Sequence, residues 1–143
     1  MKTVNTFKAD IYVGLRPAYN PSAVCWGTRR SIATRICQKY CDKVGLGLTI
    51  TDTEFIYTEG NEHGLIVGLI NYPRFPSIPY EVIEHAENIA RKLLKELEQE
   101  RVSIVTSDKT YMIEKDTELV VSLELRTDPV KKPTVGEIPR IDM

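Results

Sequence analysis

Apolar positions along the chain switch between a period of two and a period of three to four, and each switch marks an element. From Ala9 to Leu15, Ile11 and Val13 alternate with Tyr12 before Gly14, Arg16 and Pro17, which predicts a strand. Arg16 to Gly27 carries two prolines, one glycine and an asparagine, and reads as a loop. Thr28 can cap a helix running to about Lys43, in which Ile32, Ile36 and Tyr40, with Ala33, Cys37, Cys41 and Val44, form one stripe and Gly45 takes the C-cap. The period returns to two at Leu46, Leu48 and Ile50. Asp52 and Thr53 interrupt the alternation before Glu54 to Thr58, so a bulge or bend is expected there. A turn over Glu59 to Gly64 leads into Leu65 to Asn71, apolar enough for a central strand buried on both faces.

Pro73 and Pro76 close that strand, and Pro79 opens a second helix at a position where a missing N–H costs nothing. Val82, Ile83, Ala86, Ile89, Ala90, Leu93, Leu94 and Leu97 repeat at three and four, with the charged residues mostly outside. Strands are predicted over 101–106, 110–114 and 118–125. The order is strand, helix, two strands, helix, two or three strands. It predicts an α+β fold: an antiparallel-rich sheet with two helices packed on one face, in ferredoxin-like split βαβ order, with C-terminal strands and an extended tail. Residues 1–126 read as a single α+β domain. Residues 127–143, with Pro129, Pro133, Pro139, Lys131, Lys132 and Arg140, read as a tail or an oligomerisation arm anchored by Val135, Ile138 and Ile141.

Composition narrows the function classes. The 143 residues include 19 basic and 20 acidic groups, a net charge of -1, so the counterion-release term that drives nucleic-acid binding has no source and no nucleic-acid polymer is expected as a partner. No apolar run approaches the roughly 20 residues that span a bilayer, and the N-terminus lacks the apolar core of a signal peptide. The expectation is a cytoplasmic protein with no membrane association. Cys25, Cys37 and Cys41 form no C-x-x-C pair, so reduced thiols are expected, and neither a metal nor a cofactor.

Phosphate-cradling glycine loops, H-E-x-x-H and G-x-S-x-G are absent. What remains is Asn71-Tyr72-Pro73-Arg74-Phe75-Pro76. Two prolines hold Arg74 between rings, an arrangement suited to a nucleotide: guanidinium to phosphate, Tyr72 or Phe75 to a base, and Asn71 to a base edge or ribose. A solvated arginine on a rigid turn is the alternative. Thr28-Arg29-Arg30-Ser31 sets two guanidiniums at a helix N-terminus, where they oppose the helix dipole unless an anion is bound. Arg16 could converge on the same place, and Trp26 could lid a pocket or anchor its loop. The candidate ligand-binding residues are therefore Arg74, Phe75, Tyr72, Asn71, Arg29, Arg30, Arg16, Thr28 and Trp26, with no catalytic residue among them. Glu59, Glu62 and His63 fall on the expected hairpin turn, where a solvated role outweighs an acid–base one.

The block from Thr53 to Pro76 (TEFIYTEGNEHGLIVGLINYPRFP), with Ile11 to Arg16 and Glu100 to Ile104, resembles small phage-encoded proteins of the anti-Thoeris sponge family. The resemblance implies an oligomer that captures cyclic ADP-ribose-type or cyclic oligonucleotide immune signals intact at subunit boundaries, in the host cytoplasm. It assigns no binding residue position by position. The expected function is a non-catalytic binder that sequesters a small anionic nucleotide-type ligand as a homo-oligomer. The alternatives are a small antagonist that binds a host protein through its sheet face or tail, and a metal-independent phosphoesterase using Glu59, Glu62 or His63.

Overall fold

The computed structural model describes residues 1–16 and 26–115, with the side chain of Trp26 left out. In chain order the elements are β1 (Lys8–Gly14), α1 (Trp26–Val44), β2 (Thr49–Tyr57), β3 (Gly60–Ile70), α2 (Pro79–Glu96), β4 (Arg101–Thr106) and β5 (Thr110–Glu114). The strands form one antiparallel sheet in the order β2-β3-β1-β4-β5. The first four strands and two helices follow the ferredoxin-like split βαβ order, and β5 extends the sheet beyond it. The expected 118–125 strand, the 127–143 tail and Cys25 lie outside the described residues.

Strand alternation sets the two faces. Ala9, Ile11 and Val13 of β1 pair with Leu69, Val67 and Leu65 of β3, and all six are buried. Val102 and Ile104 of β4 continue the layer. Against it packs the stripe of α2, with Val82, Ala86, Ile89, Ala90, Leu93 and Leu94 buried, α2 lying over β1 and β4. α1 rests against α2 and β3 through Ala33, Cys37 and Tyr40. Each fully buried aliphatic side chain contributes about 1.5–3 kcal/mol, so this single layer carries the fold. Among the described residues no helix lies on the opposite sheet face.

Three expectations need correction. β2 runs through Asp52 and Thr53 in unbroken register, Asp52 opposite Leu65 and Thr53 opposite Gly64, so there is no bulge. Asp52 breaks the apolar pattern because its carboxylate meets Arg30 of α1 at 2.5 Å. β3 is fully buried on the helix side and only in part on the other, where Gly64 and Gly68 are buried, Ile66 is half-buried and Ile70 exposed. The turn is also tighter than expected. Thr58 and Glu59 alone connect the strands, Glu59 at φ 61°, and Glu62 and His63 belong to β3, paired with Phe55 and Glu54.

Gly45 and Pro79 mark helix ends where the sequence placed them, but α1 begins at Trp26, so Thr28 lies within its first turn and does not cap it. Gly45, at φ 76°, closes α1 and donates to Cys41 O at 2.8 Å. At the start of α2 the Glu81 carboxylate accepts the Ile78 N–H at 3.1 Å. α2 ends through Glu98 in the left-handed region (φ 55°), with the Gln99 N–H on Leu94 O at 2.9 Å. That turn fixes Gln99 at the entry to β4.

Candidate functional site

The sequence-predicted residues divide between the two ends of the sheet. Asn71, Tyr72, Arg74 and Phe75 follow the end of β3; Arg16, Thr28, Arg29 and Arg30 lie where β1 ends and α1 begins. Nine residue steps along the chain separate Glu62, which accepts from the Arg16 N–H, from Asn71, about 30 Å at roughly 3.3 Å per step. The two groups cannot hold one small ligand within a single copy.

At the first end, Asn71 clamps the chain. Its N–H donates to Phe7 O at 2.9 Å, its Nδ2 to Asn5 O at 2.9 Å, and its Oδ1 accepts the Ser77 N–H at 2.7 Å. Phe75 N–H donates to Tyr72 O at 2.9 Å, closing a tight turn. The Arg74 guanidinium lies 5.3 Å from the Phe75 ring centroid, and both residues are exposed.

At the other end the arginines hold protein groups. Arg29 Nε donates to Leu15 O at 2.5 Å and its Nη2 to Leu97 O, and the guanidinium stands 3.7 Å from Glu98. A cation placed at the C-terminal carbonyls of α2 complements that helix's dipole, which accounts for an arginine in the first turn of α1. Asp52, by hydrogen bond and by charge, pushes the Arg30 pKa up. Arg16 Nη2 donates to Asn61 O at 2.9 Å, while its N–H reaches Glu62 Oε2 at 3.3 Å. Thr28 is exposed. Trp26 is the first residue of α1.

Around Glu62 the structure assembles residues that the sequence reading left unconnected. Gly14 and Gly64 are register partners on the open sheet face. A Cβ on Gly14 would lie 2.2 Å from Glu62 Oε2 and 3.0 Å from Gln99 Oε1; one on Gly64 would lie 2.1 Å from the Phe55 ring. The two glycines thus form a floor over which a carboxylate, an amide oxygen and an aromatic ring converge. Tyr12 extends the ring surface, 6.3 Å from Phe55 between centroids. Tyr57, on the same face, turns its ring over Gly60.

Gln99 is 7% exposed. Its Nε2 donates to Arg16 O at 2.7 Å and Leu97 O at 3.0 Å, which fixes the amide so that Oε1 faces the glycine floor. Among the described residues that oxygen accepts no hydrogen bond. Two acceptors beside two rings suit a ligand bearing an N–H or O–H group next to a flat heterocycle. Glu62 was legible only as a turn carboxylate. The signal that places it is strand pairing, which sets Glu62 opposite Phe55. Gln99 had no sequence signal.

No family model matches the chain. A stretch of 47 residues is 34% identical to the bile salt hydrolase/transferase of Bifidobacterium longum, covering 33% of this chain and 15% of that protein. The chain thus spans a small fraction of the curated relatives it matches. Two solved structures share the fold. A phage SAM lyase in complex with S-methyl-5'-thioadenosine superposes with TM-score 0.63 at 15% identity, covering 82% of this chain and 95% of that one. A phage SAM lyase in its apo state gives TM-score 0.63 at 15% identity, over 81% and 96%.

The class defined is an α+β protein built like a small phage enzyme. That finding corrects the expectation of a non-catalytic sponge, because the shared architecture is that of a lyase, which breaks a bond in its ligand. The sponge family itself is not among the matches. Among the described residues no helix is long and apolar enough to cross a membrane.

Proposed function

We propose that the chain is a lyase of S-adenosylmethionine (SAM) or a close sulfonium analogue, releasing S-methyl-5'-thioadenosine, in the cytoplasm of a phage-infected cell. The observation that carries the reading is the Glu62 carboxylate set with Gln99 Oε1 over the Gly14–Gly64 floor, beside Phe55 and Tyr12. The likeness to phage SAM lyase, which covers nearly all of that chain, supports it.

The chemistry suits these residues. S-methyl-5'-thioadenosine is SAM without its four-carbon amino-acid arm, so the bond that breaks joins sulfur to that arm. The arm's own carboxylate oxygen attacks its γ carbon and closes a five-membered lactone as the carbon–sulfur bond breaks; the electron pair goes to sulfur and the sulfonium charge is lost. The leaving group is therefore good without a metal or a strong acid, and the protein's task is to orient the arm and exclude water. The rings offer a face to the adenine. Glu62 and Gln99, both acceptors, take the arm's ammonium and hold it in one geometry, while the glycines let the Glu62 carboxylate and the Phe55 ring lie close against the backbone.

Among the described residues no helix covers the open sheet face, which leaves the site without a roof from them. Self-association over that face, completing the enclosure, is part of the proposal. Within one copy Arg74 stands at the far end of β3, so it joins this site only as a residue lent by a neighbour.

The test is to incubate the purified chain with SAM and follow S-methyl-5'-thioadenosine by liquid chromatography and mass spectrometry. Steady release is expected, and Glu62→Gln should lower kcat/KM by about 10²–10³ with the melting temperature nearly unchanged. Recovery of intact SAM after prolonged incubation would overturn the reading.

A further inference from the structure

On the side of the molecule away from the open sheet face, α1 and α2 leave a groove of about 820 Å³ between them. Its floor includes Ile36 and Tyr40; its walls carry Arg35, Lys39 and Lys43 from α1 and Lys92 from α2. Tyr40 is set in place by His85 Nδ1 at 2.8 Å and by Asn88 Nδ2, which donates to its hydroxyl at 3.2 Å. Among the described residues Arg35, Lys39, Lys43 and Lys92 make no ion pair.

Arg35, Lys39 and Lys43 follow one another at i, i+4 and i+8, so they line one face of α1 at intervals of about 6 Å. Like charges at that spacing repel, and among the described residues Glu96 is the single carboxylate lining the groove against five basic side chains. The chain as a whole is slightly acidic, so this row is a local concentration of charge. Two features define its complement. The cations call for carboxylates or phosphates, and the apolar floor calls for an apolar stripe, which a nucleic-acid backbone lacks.

We propose that this groove docks an acidic amphipathic helix from a partner protein, with its apolar stripe on Ile36 and Tyr40 and its carboxylates, themselves about 6 Å apart along the helix, on the α1 row and Lys92. One turn of such a helix occupies roughly 420–610 Å³, so the groove seats between one and two turns. The surface is separate from the Glu62 site, and docking leaves that site open.

The test uses the full chain and a fluorescein-labelled peptide of about 20 residues, with leucine at i, i+3, i+4 and i+7 and glutamate on both flanks, read by anisotropy. Micromolar binding is expected, weakening at least about tenfold in half-molar salt. Lys39→Glu with Lys43→Glu should cut affinity at least about tenfold and leave SAM turnover unchanged. Lys39→Gln with Lys43→Gln should show the same loss of affinity should the charge reversal fail to fold. Equal binding by a glutamate peptide lacking the leucine stripe, or by a single-stranded oligonucleotide, would overturn the proposal in favour of a general polyanion surface. Displacement of the peptide by self-association of the chain, or no binding at all, would overturn it outright.

Discussion

A methyl group added at Gly14 separates the site from the fold. Built on the existing backbone, the Cβ of Gly14→Ala would stand 2.2 Å from Glu62 Oε2 and 3.0 Å from Gln99 Oε1. The first approach is impossible, but the atom to be moved is the tip of a flexible side chain. Swinging Glu62 aside costs its 3.3 Å hydrogen bond from the Arg16 N–H, about 0.5–1.5 kcal/mol. Replacing glycine by alanine returns about 0.4–1 kcal/mol through the unfolded chain. The two nearly cancel, so the melting temperature is expected to stay within about 3 °C. Turnover should not survive as well: a carboxylate displaced by an ångström or more costs on the order of 10² in rate. Gly64→Ala is the contrasting case. Its Cβ would meet the Val13 carbonyl oxygen at 2.8 Å as well as the Phe55 ring, and backbone cannot swing away, so this variant should lose about 1–3 kcal/mol. Thermal denaturation and product release, measured on both variants, check the reasoning. Full turnover by Gly14→Ala, or a melting point far below wild type, would refute the placement of Glu62.

Arg29→Ala removes two charge-assisted bonds, to Leu15 O and Leu97 O, and should cost about 2–4 kcal/mol in chemical denaturation. Arg74→Ala loses only an exposed contact with Phe75, so its melting temperature should stay within about 2 °C, and lost turnover would identify Arg74 as a residue supplied by a second copy. Burial pushes the Cys37 thiol up to about 11, with Cys41 adding to it. A raised folded-state pKa favours the protonated thiol, so its contribution is present below about pH 9 and is lost as pH rises through 11. Melting curves from pH 8 to 11 should fall more steeply for wild type than for Cys37→Ala.

The fold was legible because its period changes are clean: the α2 stripe and the alternation of β1 and β4 required no tertiary information. The site was less legible, for physical reasons. Glu62 reads as a turn residue until Phe55 is known to stand across from it, and a hairpin turn of two residues rather than six decides that. Asp52 mimics a bulge because its partner, Arg30, is 22 residues away. The helix-start arginines looked anion-seeking because their nearest counter-charges, Asp52 and the carbonyl end of α2, are brought to them only by folding. Gln99 matters through the oxygen left over after its nitrogen is bonded, which no spacing rule encodes.

The most direct test of the account is a structure of the chain with S-methyl-5'-thioadenosine bound. The adenine should lie against Phe55 and Tyr12, with the ligand over Gly14 and Gly64 and within hydrogen-bond distance of Glu62 or Gln99. A ligand seated instead on the Tyr72–Phe75 turn, or in the groove between the helices, would contradict it.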